Sequence, residues 1–291
     1  MKFNRQYRIL IQKDDESEAL EITSPLTLQF DIIRNTGASL NSGQFRIYNL
    51  SEKNRSQIFQ ERFVLRKRAG VGDFKKVVLQ AGYDTLATIF VGNILEAYSE
   101  RSGPDIITFI SAQDGAFGTY NSFSNFSVNK GESNSNIIGS LISDLSGVSK
   151  GSIGDIIGST DRGLSFNGNT FTLLREKSGE KAFIDLEKVN VLGSNEAIEG
   201  QVPLVSSSTG LLAVPKRRGS FVTTDLIFEP QIVVGQIVEL QSSINPIFDG
   251  QYKVLGLRHS GTISGAIGGD CRTNLDLYLG SQALGGLKII K

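Results

Sequence analysis

Hydrophobic and polar residues alternate along much of the chain, and this alternation predicts β-strands. The clearest example is Lys75–Gly115, whose first strand places three apolar side chains on one face: Val77, Leu79 and Ala81. The second strand is expected to bend at Gly92, and the turn signal Arg101–Pro104 leads into a return strand over Asp105–Ala112. An antiparallel meander with one apolar face must pack or close, so we expect a β-barrel or sandwich.

The same order of features returns near the C-terminus. Val77-x-Leu79-Gln80 is followed by Phe90-x-Gly92, and Val238-x-Leu240-Gln241 is followed by Phe248-x-Gly250. In both places a long strand, a turn and an apolar return strand come next. This order predicts an internal repeat of one β-domain. Short matches between strands also arise by chance, so two unrelated β-regions remain the alternative.

Between the two β-regions the hydrophobic period changes to that of a helix. Apolar residues recur at helical spacing between Ser133 and Leu145: Ile137, Ile138, Leu141 and Ile142. Thr170 is predicted to cap a second short helix that runs through Lys177, and a hairpin over Ala182–Leu192 follows. The Ser/Asn-rich stretch Ala116–Gly131 is predicted to be a linker. Residues from about 125 to 198 therefore form a small α/β unit.

Length and composition narrow the class of protein. The chain has 291 residues, enough for two or three domains, and 32 glycines, which suit a turn-rich β protein. Thirty basic and thirty acidic residues give zero net charge, without the basic excess of a dedicated nucleic-acid binder. We predict neither a signal peptide nor a membrane segment, since no apolar run approaches ~20 residues. Synthesis in a cytoplasm is expected.

Few residues are available for catalysis or metal binding. The single histidine, His259, is expected at the surface or at a strand edge, and the single cysteine, Cys271, cannot form an internal disulfide. A Ser-His-Asp triad and a zinc site are not expected, and we predict no catalytic, cofactor-binding or metal-binding residue. Carboxylates are plentiful, so a glycosidase-like pair drawn from Asp114, Glu96 and Asp270 is an open alternative.

Three charged segments are interpreted as solvated loops. One is the acidic turn Asp14–Glu18, and the other two are basic clusters: Arg62, Arg66, Lys67 and Arg68 in the first half, and Lys216, Arg217 and Arg218 in the second. The alternative is contact of the first basic cluster with a nucleic acid or an acidic partner, and contact of the second with an acidic partner.

Several short motifs together resemble the baseplate hub proteins of tailed phages, which lie beneath the tail tube. In the first half they are Phe90-Val91-Gly92, Ile94–Glu100 and Asp105–Gly115. In the second half they are Ser208–Pro215, Glu229-Pro230, Val234-Gly235 with Val238, Gly250–Val254 and His259-Ser260-Gly261. The resemblance covers most of the chain.

This resemblance implies a mainly β fold with a small α/β insert and two tail-tube-like antiparallel β-barrel or sandwich domains. The expected boundaries are 1–120 and 201–291 for the tube-like domains and 121–200 for the insert. It also implies a structural, non-enzymatic virion protein of the tail baseplate, assembled in the host cytoplasm. A homotrimer would adapt the six-fold tail tube to the three-fold central spike. The expected partners are the tail tube or distal tail protein, the spike protein and neighbouring baseplate proteins, and the genome and tape-measure protein would pass through the channel.

Two other classes of function are kept open. One is a tail-associated cell-wall hydrolase that uses a carboxylate pair. The other is a carbohydrate-binding adhesin module. Glycan recognition usually relies on aromatic platforms, and tryptophan is absent here, although seven Tyr and 17 Phe are present.

Overall fold

The computed structural model describes residues 4–13, 19–37, 39–60, 74–265, 268–279 and 288–290. The acidic turn Asp14–Glu18 and the basic cluster of Arg62, Arg66, Lys67 and Arg68 lie outside the described residues. The strands of the first β-region are β1 (Gln6–Lys13), β2 (Leu20–Thr23), β3 (Leu28–Asn35), β4 (Ser42–Tyr48), β5 (Lys75–Gly82), β6 (Leu86–Ser102) and β7 (Asp105–Gln113).

Six short strands follow in the middle of the chain: β8 (Phe123–Val128), β9 (Ser149–Ile153), β10 (Leu164–Asn169), β11 (Ala182–Asp185), β12 (Lys188–Val191) and β13 (Glu196–Ile198). The C-terminal strands are β14 (Leu204–Val205), β15 (Lys216–Arg218), β16 (Phe221–Ile227), β17 (Ile237–Leu240), β18 (Gly250–Ile263), β19 (Cys271–Tyr278) and β20 (Lys288–Ile290). The helices are α1 (Glu52–Ile58), α2 (Ala116–Asn121), α3 (Asn134–Ser143) and α4 (Thr170–Ser178), with a 3-10 turn at Pro246–Phe248.

Helices α1, α3 and α4 begin at side chains that accept orphan backbone N–H groups. Ser51 and Ser133 accept from the third residue beyond, at 3.3 and 3.1 Å, as expected for N-caps. The cap of α4 is Asn169 and not the predicted Thr170, since the Asn169 side chain accepts the Thr172 N–H at 3.1 Å. No helix in the described part of the chain has the length and apolar character needed to cross a membrane.

One large antiparallel sheet dominates the molecule. Its strand order is β15-β16-β19-β18-β3-β4-β7-β6-β5-β1-β2, and β17 and β14 extend it beside β18. The prediction of a mainly β fold is confirmed. The described strands form an open sheet, and a closed barrel is not found among them.

Three hydrophobic clusters lie in the three successive regions of the chain. The first gathers side chains from β1 to β7 and α1, with Phe228, Ile263 and Cys271 added from the C-terminal region. The second lies beneath the C-terminal strands. The third packs α3 and α4 against β11 and β12. Residues 121–200, here called the insert, therefore have a hydrophobic cluster of their own.

The predicted linker Ala116–Gly131 is wrong, because this stretch forms α2 and β8. All six residues of β8 pair with β10, and the Phe126 and Phe166 rings stack at 5.1 Å. The strand is polar in composition yet partly buried: the Ser124 hydroxyl, in the interior, donates to Asp144 Oδ2 at 2.6 Å. A buried serine with a partner does not show in a hydrophobic pattern.

Candidate functional site

The two β-regions repeat one strand topology. In the first, the consecutive strands β3 to β7 lie in the sheet order β3-β4-β7-β6-β5. In the second, β15 to β19 lie in the order β15-β16-β19-β18-β17. All these neighbours are antiparallel. We call these sets the first unit and the second unit. Their common order agrees with the predicted repeat.

A β-bulge aligns the two units residue by residue. β6 carries one extra residue, Leu95, after the pair Ile94↔Ala112, and β18 carries Leu255 after the pair Val254↔Leu277. Leu95 and Leu255 are therefore equivalent. The sequence motif that matched Gly92 to Gly250 is displaced by two positions, because the β17–β18 connection is longer than the β5–β6 turn. The predicted alignment of Gly92 with Gly250 is therefore wrong.

The two units join edge to edge through β3 and β18. The ladder runs from Gly256↔Asn35 to Ile263↔Leu28. On its outer face the Arg258 guanidinium donates to both oxygens of Asp31, at 2.7 and 2.6 Å. Because this ion pair is exposed, water screens its charges and it adds little stability. Its two parallel hydrogen bonds mainly fix the relative orientation of the two strands.

The opposite face of the junction holds His259. Its side chain is 0 % exposed, its Nδ1 lies 2.9 Å from Thr273 Oγ1, and the Phe228 ring meets it edge-on at 5.5 Å. Burial lowers the pKa of His259 to about 3, with the Arg34 charge as a smaller cause, so the ring stays neutral. The predicted position at the surface or at a strand edge is wrong, because β18 lies between β3 and β19 in the sheet and the His259 ring packs into the interior against Phe228.

A buried polar cluster ties the first unit to the insert. The Arg34 guanidinium donates to both oxygens of Asp185, at 2.8 and 2.6 Å. Asn41 Nδ2 donates to Asp185 Oδ1 and to the Ile184 carbonyl, both at 2.9 Å. Asp185 ends β11, so these bonds hold the β11–β12 hairpin against the first unit. We call Arg34, Asn41, Asp114 and Asp185 the insert latch.

Asp114 belongs to the same cluster. It accepts the backbone N–H groups of Leu186 and Glu187 at 2.6 and 2.9 Å, at the turn between β11 and β12. Both turn residues have positive φ, 52° and 57°, the geometry of a tight hairpin turn. Burial first, and the Asp185 charge second, raise the pKa of Asp114 to about 8. Its oxygens are occupied by structural hydrogen bonds.

The three carboxylates considered for catalysis do not form one site. Asp114 is in the insert latch, Glu96 lies half-buried on β6, and Asp270 is exposed and paired with Arg272 Nε at 2.7 Å. The described residues contain no group of three or more side chains suited to hold a metal ion. The Cys271 thiol is buried and donates to the Thr262 carbonyl.

The structure differs from the sequence predictions at several of these residues. Lys216–Arg218 is the exposed edge strand β15 and not a loop. Arg34 and Asp185 were not identified from the sequence. The available signal for Arg34 was its phase, since it continues the buried alternation of Leu28, Phe30 and Ile32. A cation in a buried phase implies a buried partner.

Comparison with known protein families and solved structures shows what the chain is similar to. The sequence profile of the family described as "Baseplate hub gp41" matches residues 7–262. No curated protein sequence matches significantly. Among solved structures, the prophage MuSo2 43 kDa tail protein from Shewanella oneidensis is similar with a TM-score of 0.60 at 8 % identity, over 93 % of this chain and 96 % of that chain.

Two further structures resemble the chain. The tail protein from Neisseria meningitidis MC58 has a TM-score of 0.58 at 13 % identity, over 94 % of this chain and 96 % of that one. The E. coli c3393 protein, a type VI secretion component with similarity to T4 tail proteins gp27 and gp5, has a TM-score of 0.57 at 9 % identity, over 94 % and 77 %. At these identities the similarity shows the fold.

Proposed function

The chain belongs to the baseplate hub gp41 family, and on this premise we propose that three copies form a ring between the tail tube and the central spike. Membership of this structural family confirms the predicted hub role, the predicted place in the tail baseplate and the prediction that the protein is not an enzyme. The cell-wall hydrolase loses its support, because the carboxylates considered for it are dispersed.

The repeated strand order is the observation that carries the proposal. Two units of one topology in each chain give six similar units in a trimer. A ring of six similar units matches a six-fold tube, while the inserts repeat only three times and suit a three-fold spike. We propose the tube-like domains as 1–120 and 201–291, with 121–200 inserted. Closed rings of this kind use head-to-tail contacts.

The face of the sheet opposite the hydrophobic clusters is proposed to line the channel. Along five adjacent strands most residues of this face are polar, with apolar exceptions that include Ile33, Ile107 and Phe109; its outward residues include Gln29, Asp31, Gln44, Arg46, Ser111, Arg258, Ser260, Arg272 and Asn274. Both signs of charge are interspersed. Such a surface gives passing nucleic acid or protein no large apolar area on which to adhere. The tape-measure protein and the genome are the proposed cargo.

A three-dimensional reconstruction of the isolated tail tests this function. We expect three copies of the chain below the last tube ring, with first and second units alternating around the axis. The tube, spike and neighbouring baseplate proteins should contact this ring. A copy number other than three, or a ring in which only one unit of each chain takes part, would refute the proposal.

A further inference from the structure

The junction inside one chain shows how two such units join. After the bulge at Leu255, β18 pairs with β3 of the first unit. Because the units share one topology, each has a strand in the position of β18 and a strand in the position of β3. These are β6 in the first unit and β15 in the second. Both have an edge that no strand of the described residues occupies.

The second half of β6 has this unoccupied edge. On one side β6 pairs with β7 as far as Ser102, whereas the other side of this half forms a single bridge, Gln60↔Ala97, in the described chain. The residues from Tyr98 to Ser102 are exposed. Unpaired N–H and C=O groups along such an edge are a template for another strand.

One equivalent pair of residues shows the difference directly. Ser99 Oγ lies 2.9 Å from Thr108 Oγ1, as His259 Nδ1 lies 2.9 Å from Thr273 Oγ1. His259 is wholly buried, with the Phe228 ring packed edge-on against it, whereas Ser99 is exposed. The first unit therefore has the equivalent side-chain contact at an exposed position.

The edge strand β15 is the complementary element. It ends the sheet, pairs only with β16 among the described strands, and all three of its side chains are exposed. Pro215 precedes it and lacks an N–H, which limits the ladder on that side.

Reading across each sheet fixes which residues correspond. In the first unit, the residues paired in turn across successive strands, starting from Glu96, are Ser111, Gln44 and Asp31. In the second unit, the residues paired in the same way, starting from the equivalent Gly256, are Asp276, Thr223 and Lys216. Lys216 of β15 thus stands where Asp31 stands in β3.

We propose that β6 of one copy pairs antiparallel with β15 of a second copy, and that this contact repeats the β18–β3 junction between chains. The inference rests on the proposed ring and names its interface. Transfer of the junction register places Glu100 opposite Lys216 of the second copy. Ser99 then lies opposite Arg217, and Tyr98 opposite Arg218.

The charges at these positions are complementary. Glu100 faces Lys216 directly and has Arg218 on the diagonal, within reach on the same face of the sheet. Tyr98 already stacks on Phe109 at 5.2 Å, and Arg46 lies 5.5 Å from the same Phe109 ring. Arg218 opposite Tyr98 would place a second cation at the other end of this aromatic row.

The remaining residue of β15 is Arg217, and a groove beside β6 would accept its side chain. A cavity of about 310 Å³ lies between α1 and β6, and its lining includes Glu52, Phe59 and Ser99. Arg217 points to the side of β15 opposite Lys216, so it would enter this groove and meet the Glu52 carboxylate. In the junction within the chain, the same position is filled by Ile32.

Cysteine cross-linking in assembled tails tests the register. The double variant Glu100→Cys with Lys216→Cys should yield, after mild oxidation, a disulfide-linked hub species of more than one chain, because opposed positions lie within disulfide distance. The matched control is Glu100→Cys with Arg217→Cys, whose side chains lie on opposite faces and should stay unlinked. Equal linking in both pairs, or linking to a different protein, would overturn the inference.

A charge-exchange experiment tests the same contact if the cysteine variants do not assemble. Glu100→Lys should lower the yield of infectious particles about tenfold, because like charges then face each other. Adding Lys216→Glu should restore the yield, and Glu199→Lys, an exposed charge reversal elsewhere, should have no effect. Failure of the exchange to rescue refutes the contact.

The two proposals fail in distinguishable ways. A tail with three hub copies but no Glu100–Lys216 cross-link and no rescue rejects only this interface. A copy number other than three rejects the ring itself.

Discussion

Arg34 and Asp185, which are 151 residues apart in the sequence, form a two-pronged ion pair whose arginine side chain is 0 % exposed. The pair joins a strand of the first unit to a hairpin of the insert. Since removing two charges from water is costly, the pair is better explained by the fixed position it gives the insert than by net stability.

Loss of one partner of this pair should be severe. We expect Arg34→Ala to lower the free energy of unfolding by ~3–5 kcal/mol, because Asp185 is left buried without its counter-ion. The matched control is Arg258→Ala, which breaks the exposed pair with Asp31 and should cost ~1 kcal/mol or less. Chemical denaturation of both variants measures this. Equal losses would contradict the assigned role of burial.

Neutral His259 makes the junction sensitive to acid. Its pKa is about 3 in the folded chain, below the ordinary 6.5, so only the unfolded state takes up a proton between these values. Stability is therefore lost as the pH falls from about 6.5 towards 3, by up to ~1.4 kcal/mol per pH unit. We expect His259→Gln to flatten the pH profile in this window, measured as unfolding midpoints between pH 4 and 7. A profile parallel to that of the unmodified chain would refute this.

The sequence predicted most strands and the order of features that the two β-regions share, because both leave local traces. The alternation in Val77, Leu79 and Ala81 survives in the structure as three buried side chains. What escaped prediction depends on long-range packing. His259 lies inside the sheet because its strand pairs with β3, which is more than 200 residues earlier, and Arg34 has its partner in the insert. Local periodicity carries no information on which distant strand will cover a residue.

The Asp114 carboxyl should give the opposite pH dependence. Its pKa is raised to about 8 in the folded chain, so the folded state holds a proton that the unfolded state has lost. Its contribution to stability therefore decreases as the pH rises from about 4 to about 8. Asp114→Asn removes this titration, and the difference between the two proteins in unfolding free energy should change with pH in that window. A constant difference would show that Asp114 is ionised throughout.

Gly92 lies where β6 leaves β5 and begins to pair with β7, and this crossing explains the bend expected there. A Cβ atom at Gly92 would lie 2.6 Å from the backbone oxygen of Gln113, closer than such atoms can approach. The neighbouring backbone is fixed in the ladder, so the clash cannot be relieved by rotating a side chain. We expect Gly92→Ala to destabilise the chain by ~1–3 kcal/mol.

Gly139→Ala is the matched control for that substitution. Gly139 lies inside α3, and nothing lies within 4 Å of the Cβ position there. Alanine in a helix interior should stabilise the chain by ~1 kcal/mol, because it restricts the unfolded backbone without creating a clash. Thermal unfolding of the two variants should therefore shift the midpoint in opposite directions. A Gly92→Ala chain as stable as the unmodified one would mean that β6 and β7 separate at this crossing, and the register from Asn93↔Gln113 onward would have to be redrawn.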